Sequence, residues 1–247
     1  MNDSILVIPF SNLALAFAPV VIVIAILFRW SLEYRNALYA MLRMLVQLLL
    51  IGYLLLFIFE SDSIMLVMAV VGVMIVASTW IALGTIGGQR RGLYLKALLS
   101  ISVSGGITLV LVTQGVLDLE PWYAPRYVIP LAGMIFSTAM NSVSLAAERL
   151  YAEIENGAQY MHARGIALRA SLIPTINTLF AVGLVSLPGM MTGQILAGVS
   201  PLIATRYQIM VMCMLFATAG MASACFLTVV RTRLSDDGGS GAQQSAG

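Results

Sequence analysis

The chain has 247 residues, of which 60% are hydrophobic and only 10% are charged, and its formal net charge is +2. An average soluble domain carries about 25% charged residues, so this composition excludes a soluble enzyme, a disordered chain and a basic nucleic-acid-binding module. The sequence therefore predicts an integral membrane protein that is surrounded by the lipid bilayer and has no nucleic-acid partner.

Seven long uncharged runs follow one another along the chain, at residues 4–28, 44–59, 63–89, 97–117, 127–147, 170–205 and 207–230. A helix needs about 20 apolar residues to cross a bilayer. The short run 44–59 reaches this length if its helix begins earlier and Arg43 extends its side chain toward the headgroups. The sequence therefore predicts an all-α polytopic membrane protein with about seven transmembrane helices, in one domain over residues 1–234.

The run 170–205 is too long for a single crossing and contains Pro174, the pair Pro188-Gly189 and Pro201. Proline interrupts the backbone hydrogen bonds of a helix, and glycine adopts dihedral angles that other residues avoid. We therefore expect one helix followed by a broken, partly re-entrant segment near residues 184–205. An additional short helix pair in the same place is the alternative.

The distribution of basic residues between alternate loops predicts the orientation. Of the 13 lysine and arginine residues, only Arg126 and Arg206 lie outside one set of connections, which is formed by residues 29–43, 84–96, 148–169 and 231–247. Because cytoplasmic loops are enriched in these residues, the N-terminus is expected outside and the C-terminus in the cytoplasm. The polar stretch 235–247 is expected to be a disordered tail or linker.

The predicted membrane segments contain no Asp, Glu, Lys, Arg or His. Proton pumps and voltage sensors need such groups at membrane depth, so both classes are disfavoured, whereas sodium coupling through carbonyl and hydroxyl groups stays open. The only lysine, Lys96, is not part of a glycine-rich phosphate-binding loop. We therefore expect no enzymatic activity and no bound cofactor in this chain, and any ATP-derived energy has to come from another chain.

The connection between Glu148 and Arg169 is the longest charged one. Apolar residues recur there at helical spacing opposite a charged face, and Asn156-Gly157 is a turn signal in its middle. The pattern predicts an amphipathic helix, interrupted by a turn, at the membrane surface. An ordinary solvated loop that only fixes the topology is the alternative.

Residues in and near the broken segment are candidates for a transport path. Non-helical backbone at membrane depth is found only where it is buried in protein or lines an aqueous cavity. Side chains and freed carbonyl groups of the stretch LPGMMTGQ are therefore expected to face a solute, and the candidates are Pro188, Gly189, Met190, Met191, Thr192 and Gln194. A proline kink packed against neighbouring helices is the alternative.

Two pairs of residues are candidates for binding a metal ion or for lining the path. Thioethers are soft ligands, so Met190 and Met191 are candidate metal ligands, although methionine also fills irregular apolar interiors. Asn141 and Asn177 place amides within predicted helices, and such groups are costly in hydrocarbon, so both should face the bundle interior. There they either line the path or join helices through hydrogen bonds.

Several motifs together resemble one transporter family. They are RMLVQLLLIGYLL (43–55), VIPLAGMI (128–135), RASLIPTINT (169–178), LPGMMTGQILAG (187–198) and RYQIMV (206–211). These blocks, spread over about residues 40 to 230, resemble the FetB-type ABC transporter permeases, an iron-export family related to plant aluminium-tolerance permeases. In the loop 148–169, an acidic residue, Gly-Ala and an apolar-basic stretch that ends in Leu-Ile-Pro resemble the coupling loop of ABC permeases.

The resemblance implies a multi-pass permease of the plasma (bacterial inner) membrane that works as a homodimer. It implies that a separate cytoplasmic ATPase, with its own ATP and Mg, powers metal export, with iron as the first candidate cargo. The residues implied to couple this chain to the ATPase are Glu153, Glu155, Asn156, Gly157, Ala158, His162 and Arg164. A permease for sugar nucleotides or other small solutes, and a secondary transporter that needs no ATPase, are the alternatives.

Overall fold

The computed structural model describes residues 8–60, 63–84, 86 and 90–241, and this part consists of helices joined by short connections. The helices are α1 (Phe10–Leu15), α2 (Ala18–Arg29), α3 (Tyr34–Glu60), α4 (Ile64–Ala82), α5 (Arg90–Val110), α6 (Pro125–Glu155), α7 (Tyr160–Ala181), α8 (Gly189–Leu196) and α9 (Pro201–Gly241). A π-helical turn, Leu111–Val116, continues α5. The structure thus confirms the predicted all-α fold.

Six helical segments of the described chain are long and apolar enough to cross a membrane. They are Ser11–Arg29, Tyr34–Glu60, Ile64–Ala82, Arg91–Val116, Pro125–Glu155 and Pro201–Arg231. Helix α7 is more polar, because its first ten residues belong to the connection 148–169 that is predicted on the cytoplasmic side, and its uncharged part begins at Ala170. These seven segments agree with the prediction of about seven transmembrane helices.

The chain forms two compact units, of which the first contains α1 to α3 and the second contains α4 to α9. In the first unit α2 packs against α3. Most apolar side chains of these two helices are exposed, as Leu49 and Tyr53 illustrate. Apolar surface of this kind is what lipid contact requires.

Helix α6 is the centre of the second unit and packs against α4, α5, α7 and α9. Its side chains Ile135, Phe136 and Val143 are almost fully buried. A Cβ atom on Gly105 of α5 would come within 2.4 Å of the Phe136 ring, so only glycine permits this approach of α5 to α6. The close packing fixes the position of α6, whose remaining face lines the cavities described below.

The chain is broken between α7 and α9, in agreement with the broken segment that the sequence predicts near residues 184–205. Helix α7 ends at Ala181, and the chain turns at Gly183 with φ +82°. Pro188 is the N-cap of α8. Within this broken segment Pro188 and Gly189 begin a short helix, where proline lacks only a donor that the helix does not use. With 8 residues, α8 is about 12 Å long and too short to span.

The last helix is longer than the sequence predicts. Helix α9 continues to Gly241, which lies within the stretch 235–247 that is predicted to be a disordered tail or linker. Once a helix is nucleated, each further residue adds one backbone hydrogen bond, so extension needs no tertiary contact. The rest of that stretch, residues 242–247, lies outside the described part of the chain.

Candidate functional site

The predicted loop 148–169 is a helical hairpin, which we call the α6–α7 hairpin. Only residues 156–159 are non-helical. Gly157 adopts φ +84° and donates its N–H to the Ile154 carbonyl at 2.9 Å, while Ala158 donates to the Glu153 carbonyl at 3.0 Å. This pair of bonds is a Schellman motif, which ends α6 and reverses the chain within four residues.

The tip of the hairpin is exposed and acidic. Glu155, Asn156, Gly157 and His162 are exposed, whereas Glu153, Ala158 and Arg164 are half-buried. Glu153 forms an ion pair with Arg149 at 2.6 Å. Because the C-terminal end of a helix carries partial negative charge, carboxylates in this last turn of α6 are unfavourable by themselves and favour contact with a cationic partner surface.

The base of the hairpin is fixed to α9. The Tyr160 hydroxyl donates a hydrogen bond to the Leu227 carbonyl of α9. Burial raises the pKa of this hydroxyl above its ordinary value, although Arg164 and Arg231 act to lower it. Tyr160 therefore stays neutral as a donor, and the first turn of α7 is tied to the predicted cytoplasmic end of α9.

A cavity of about 160 Å³ lies where α6, α7 and α9 meet, and we call it the hydroxyl cavity. Its polar lining side chains are Thr138, Asn141, Ser142, Ser171, Thr175 and Thr178. Ser142 and Ser171 are buried, while Asn141 and Thr178 lie at its exposed edge. The cavity thus presents five hydroxyl groups and one amide, all uncharged.

Two of the five hydroxyl groups, those of Ser171 and Thr178, act toward a solute as acceptors. The Ser171 hydroxyl donates to the Leu168 carbonyl at 2.8 Å and the Thr178 hydroxyl to the Pro174 carbonyl at 2.9 Å. A hydroxyl group that has donated its proton still has acceptor lone pairs. Oxygen acceptors without fixed charge suit a cation or a solute that carries hydrogen-bond donors.

A second cavity, of about 550 Å³, lies between the start of α6, α8 and the start of α9, and we call it the outer cavity. Three methionines, Met134, Met190 and Met210, contribute to its lining together with Gln194 and Arg126. The Oε1 atom of Gln194 is buried and has no hydrogen-bond partner in the part of the chain that the structure describes. By the predicted orientation this cavity is on the external side.

Helix α6 determines both cavities. Its residues Tyr127 and Met134 line the outer cavity, and Thr138, Asn141 and Leu145 line the hydroxyl cavity. Steps of seven, four, three and four residues keep all five side chains on one face of a helix. One stripe along α6 therefore runs from the external end of the helix to the hydroxyl cavity.

The structure divides the sequence-predicted path residues between different places. Asn141 lines the hydroxyl cavity, and Met190 and Gln194 line the outer cavity. Asn177 is exposed on α7 and, like Pro188, Gly189, Met191 and Thr192, is not among the lining residues of either cavity. Within the described residues, no three His, Cys, Asp or Glu side chains are grouped to hold a metal ion.

Sequence reasoning missed most of the hydroxyl cavity. Ser171, Thr175 and Thr178 recur at steps of four and three residues, the spacing of one helix face. This periodicity was visible in the sequence as a polar stripe, and Thr138 and Asn141 repeat it on α6 with a step of three residues.

Comparison with known proteins identifies the family. The profile of the family described as "Uncharacterised protein family (UPF0014)" matches residues 10–234. The chain belongs to UPF0014. Its membership agrees with the resemblance to FetB-type permeases that the motifs indicate, and with a multi-pass protein of the plasma (bacterial inner) membrane.

Curated UPF0014 relatives are similar over most of their length. The "Probable iron export permease protein FetB" of Escherichia coli K12 is 37% identical, with 88% of this chain and 90% of the relative covered. "UPF0014 membrane protein slr1647" of Synechocystis is 36% identical, with shares of 76% and 78%. "Protein ALUMINUM SENSITIVE 3" of Arabidopsis thaliana is 34% identical, with shares of 84% and 81%. No solved structure matches the chain significantly.

Proposed function

We propose that this chain is the membrane-spanning permease subunit of an ABC transporter that exports a metal ion, with iron as the first candidate. The chain does no chemistry itself. Two copies assemble with a cytoplasmic ATPase, which binds and hydrolyses ATP with Mg. The cargo is suggested by the FetB relative, whose name refers to probable iron export and which is 37% identical to this chain.

The observation that carries the proposal is the connection between the α6–α7 hairpin and the hydroxyl cavity. The exposed tip lies on the predicted cytoplasmic side, and its base is joined to α9 through Tyr160 and Leu227. The same three helices, α6, α7 and α9, line the hydroxyl cavity. A displacement of the tip by an ATPase is therefore transmitted to every wall of that cavity, which is the coupling that alternating access requires.

The hydroxyl cavity is the proposed mid-membrane part of the path. Its oxygen acceptors suit a hard or partly hydrated cation. Asn141 and Thr178 at its exposed edge need a polar or protein environment at membrane depth, and the second copy of the chain supplies it in the proposed homodimer. The thioethers of Met190 and Met191 stay the sequence-based candidates for a softer ion.

The test is reconstitution of the purified chain in vesicles with and without a cytoplasmic ABC ATPase subunit from the same organism. We expect ATP-dependent iron transport only when both proteins are present, and an ATPase rate that rises when the permease is added. Iron transport by the permease alone would instead indicate a secondary transporter. Stimulation by sugar nucleotides but not by metals would leave the ABC assignment intact and change the cargo.

A further inference from the structure

The outer cavity has the size of a ligand site rather than of an ion site. Its volume is about 550 Å³, within the range of about 300–1,000 Å³ that is common for small-molecule pockets. Apolar side chains make up most of its wall, including Leu117, Leu131 and Ile203 together with the methionines 134, 190 and 210. An ion held by a few thioethers would leave most of this wall without a contact, so the occupant has a sizeable apolar part.

One cationic side chain lies at the rim of the same cavity. Arg126 is a lining residue and is exposed, and it lies in the first turn of α6, where the helix dipole adds partial positive charge. Val199 and Ile203 bring the start of α9 to the cavity. Neither helix has an acidic residue in its first turn. The occupant therefore carries an anionic group at this rim.

One buried acceptor lacks a donor. Gln194 of α8 lines the outer cavity, and among the described residues its Oε1 atom, which is inaccessible to solvent, has no hydrogen-bond partner. Buried polar atoms of folded proteins are almost always paired. A turn of the Gln194 amide toward the cavity would bring this oxygen to an occupant that has a hydroxyl or N–H donor near its apolar part.

We propose that the outer cavity binds an anionic amphiphile, consisting of an acyl chain, a hydrogen-bond donor and a phosphate group. The chain occupies the apolar wall, the donor bonds to Gln194 and the phosphate pairs with Arg126. A lysophospholipid of the outer leaflet and a soluble lysophosphatidic acid share this chemistry. The proposal does not depend on which cargo the hydroxyl cavity carries, nor on an ATPase partner.

The test uses the full chain in a neutral detergent, with binding followed by native mass spectrometry and by thermal unfolding. Three probes separate the parts of the ligand: 1-lauroyl lysophosphatidic acid has all of them, 1-lauroylglycerol lacks the phosphate, and glycerol 3-phosphate lacks the chain. We expect the first probe to bind at least about tenfold more tightly than the second, and the third not to bind.

Variants assign the contacts. Arg126→Gln should weaken the binding of lysophosphatidic acid by about tenfold and leave the binding of lauroylglycerol unchanged. Arg206→Gln should change the affinity for neither lipid. Arg206 is the matched control, because it is exposed on the same predicted side but does not line the cavity. Gln194→Leu should weaken the binding of both lipids. Ile203→Trp should prevent both lipids from binding, because the larger side chain fills the cavity.

Clear outcomes would overturn the proposal. If Arg126→Gln and Arg206→Gln lose the same affinity for lysophosphatidic acid, the lipid is attracted only by surface charge. If the wild type binds the two acyl probes with equal affinity, the ligand needs no anionic group. Thermal unfolding without a probe checks that each variant is folded. If Ile203→Trp does not fold, the comparison of Arg126→Gln with Arg206→Gln still tests the proposal. The source of the ligand follows from the purified protein. If the wild type retains an acidic phospholipid through purification and Arg126→Gln loses it, the ligand comes from the bilayer. If the wild type is purified without lipid and binds the soluble probe, the ligand is a soluble amphiphile.

Discussion

Asn141 and Asn177 are equivalent in the sequence, since each is an amide inside a predicted transmembrane helix. The structure separates them. Asn141 lines the hydroxyl cavity with Ser142 and Ser171, whereas Asn177 is exposed on α7 and lines neither cavity. The rotation of a helix about its axis depends on its packing against neighbours, which no single residue in the sequence reveals.

This difference gives a matched pair of variants. Asn141→Leu removes an oxygen acceptor from the hydroxyl cavity, and we expect iron transport in vesicles to fall by about tenfold or more, the loss expected for one contact to a charged solute. Asn177→Leu makes the same chemical change outside the cavity and should reduce transport by less than about twofold. Equal losses in both variants would remove the hydroxyl cavity from the path.

Met190 and Met191 test the alternative in which thioethers bind the ion. Leucine conserves their volume approximately, so folding should be unaffected. With oxygen ligands in the hydroxyl cavity as the binding site, iron transport by the Met190→Leu, Met191→Leu double variant should stay within about twofold of the wild type. A large loss of transport with normal thermal stability would instead support the thioethers.

Tyr160 is expected to stabilise the base of the α6–α7 hairpin. Tyr160→Phe keeps the ring but removes the hydrogen bond to Leu227, which should lower the free energy of unfolding by about 0.5–1.5 kcal/mol. Because burial raises the pKa of Tyr160 in the folded state, its contribution is present below the ordinary tyrosine pKa of about 10 and is lost as the pH rises above it. The difference between wild type and variant should therefore shrink at high pH.

Thermal unfolding in detergent at several pH values measures this effect. Tyr123→Phe is the control, because the Tyr123 hydroxyl forms no hydrogen bond within the described residues. An unfolding temperature that falls equally in both variants would contradict the assigned bond.

At the scale of elements, the α6–α7 hairpin depends on the backbone of Gly157. Its φ of +84° is unfavourable for β-branched side chains and tolerated by asparagine. A Cβ atom at this position would meet no neighbouring atom, so the backbone conformation alone decides the effect. Gly157→Val should abolish most of the stimulation of the ATPase, and Gly157→Asn should retain it.

The ATPase rate of the reconstituted pair measures this coupling, and insertion into the membrane serves as the check on folding. Glu153→Lys tests the charge of the same tip and should weaken binding of the ATPase. Since that change also breaks the ion pair with Arg149, Arg149→Ala is its control and should leave the binding of the ATPase nearly unchanged. Full stimulation in Gly157→Val would contradict the coupling role of the hairpin.

The elements themselves were predictable to different degrees. Apolar runs predicted most of the transmembrane helices, because contact with lipid favours apolar side chains along the whole helix. The second run is predicted to extend backwards past Arg43, and α3 does begin before this residue, at Tyr34. The end of α7 was not predictable from Pro188, because proline both ends and begins helices, and here Gly183 reverses the chain first. The cavities were the least predictable feature, since each combines residues from three or more helices.

At the scale of the whole molecule, α7 decides the topology. The six apolar segments alone are an even number and would leave both ends of the chain on the same side of the membrane. With α7 as a seventh crossing, the arginine-rich connections lie together on one face, and only Arg126 and Arg206 remain on the other. The strong charge asymmetry therefore favours seven crossings.

Single cysteines in a chain with Cys213 and Cys225 changed to alanine test this arrangement. Glu120, Asn156 and Ser186 are exposed positions in three different connections. With seven crossings, a membrane-impermeant maleimide added to intact cells should label Glu120→Cys and Ser186→Cys, whereas Asn156→Cys should react only after permeabilisation. Because Ser186 follows α7 and Asn156 precedes it, the same accessibility at both positions would mean that α7 does not cross the bilayer, and α6, α7 and α9 would then not enclose a transmembrane path.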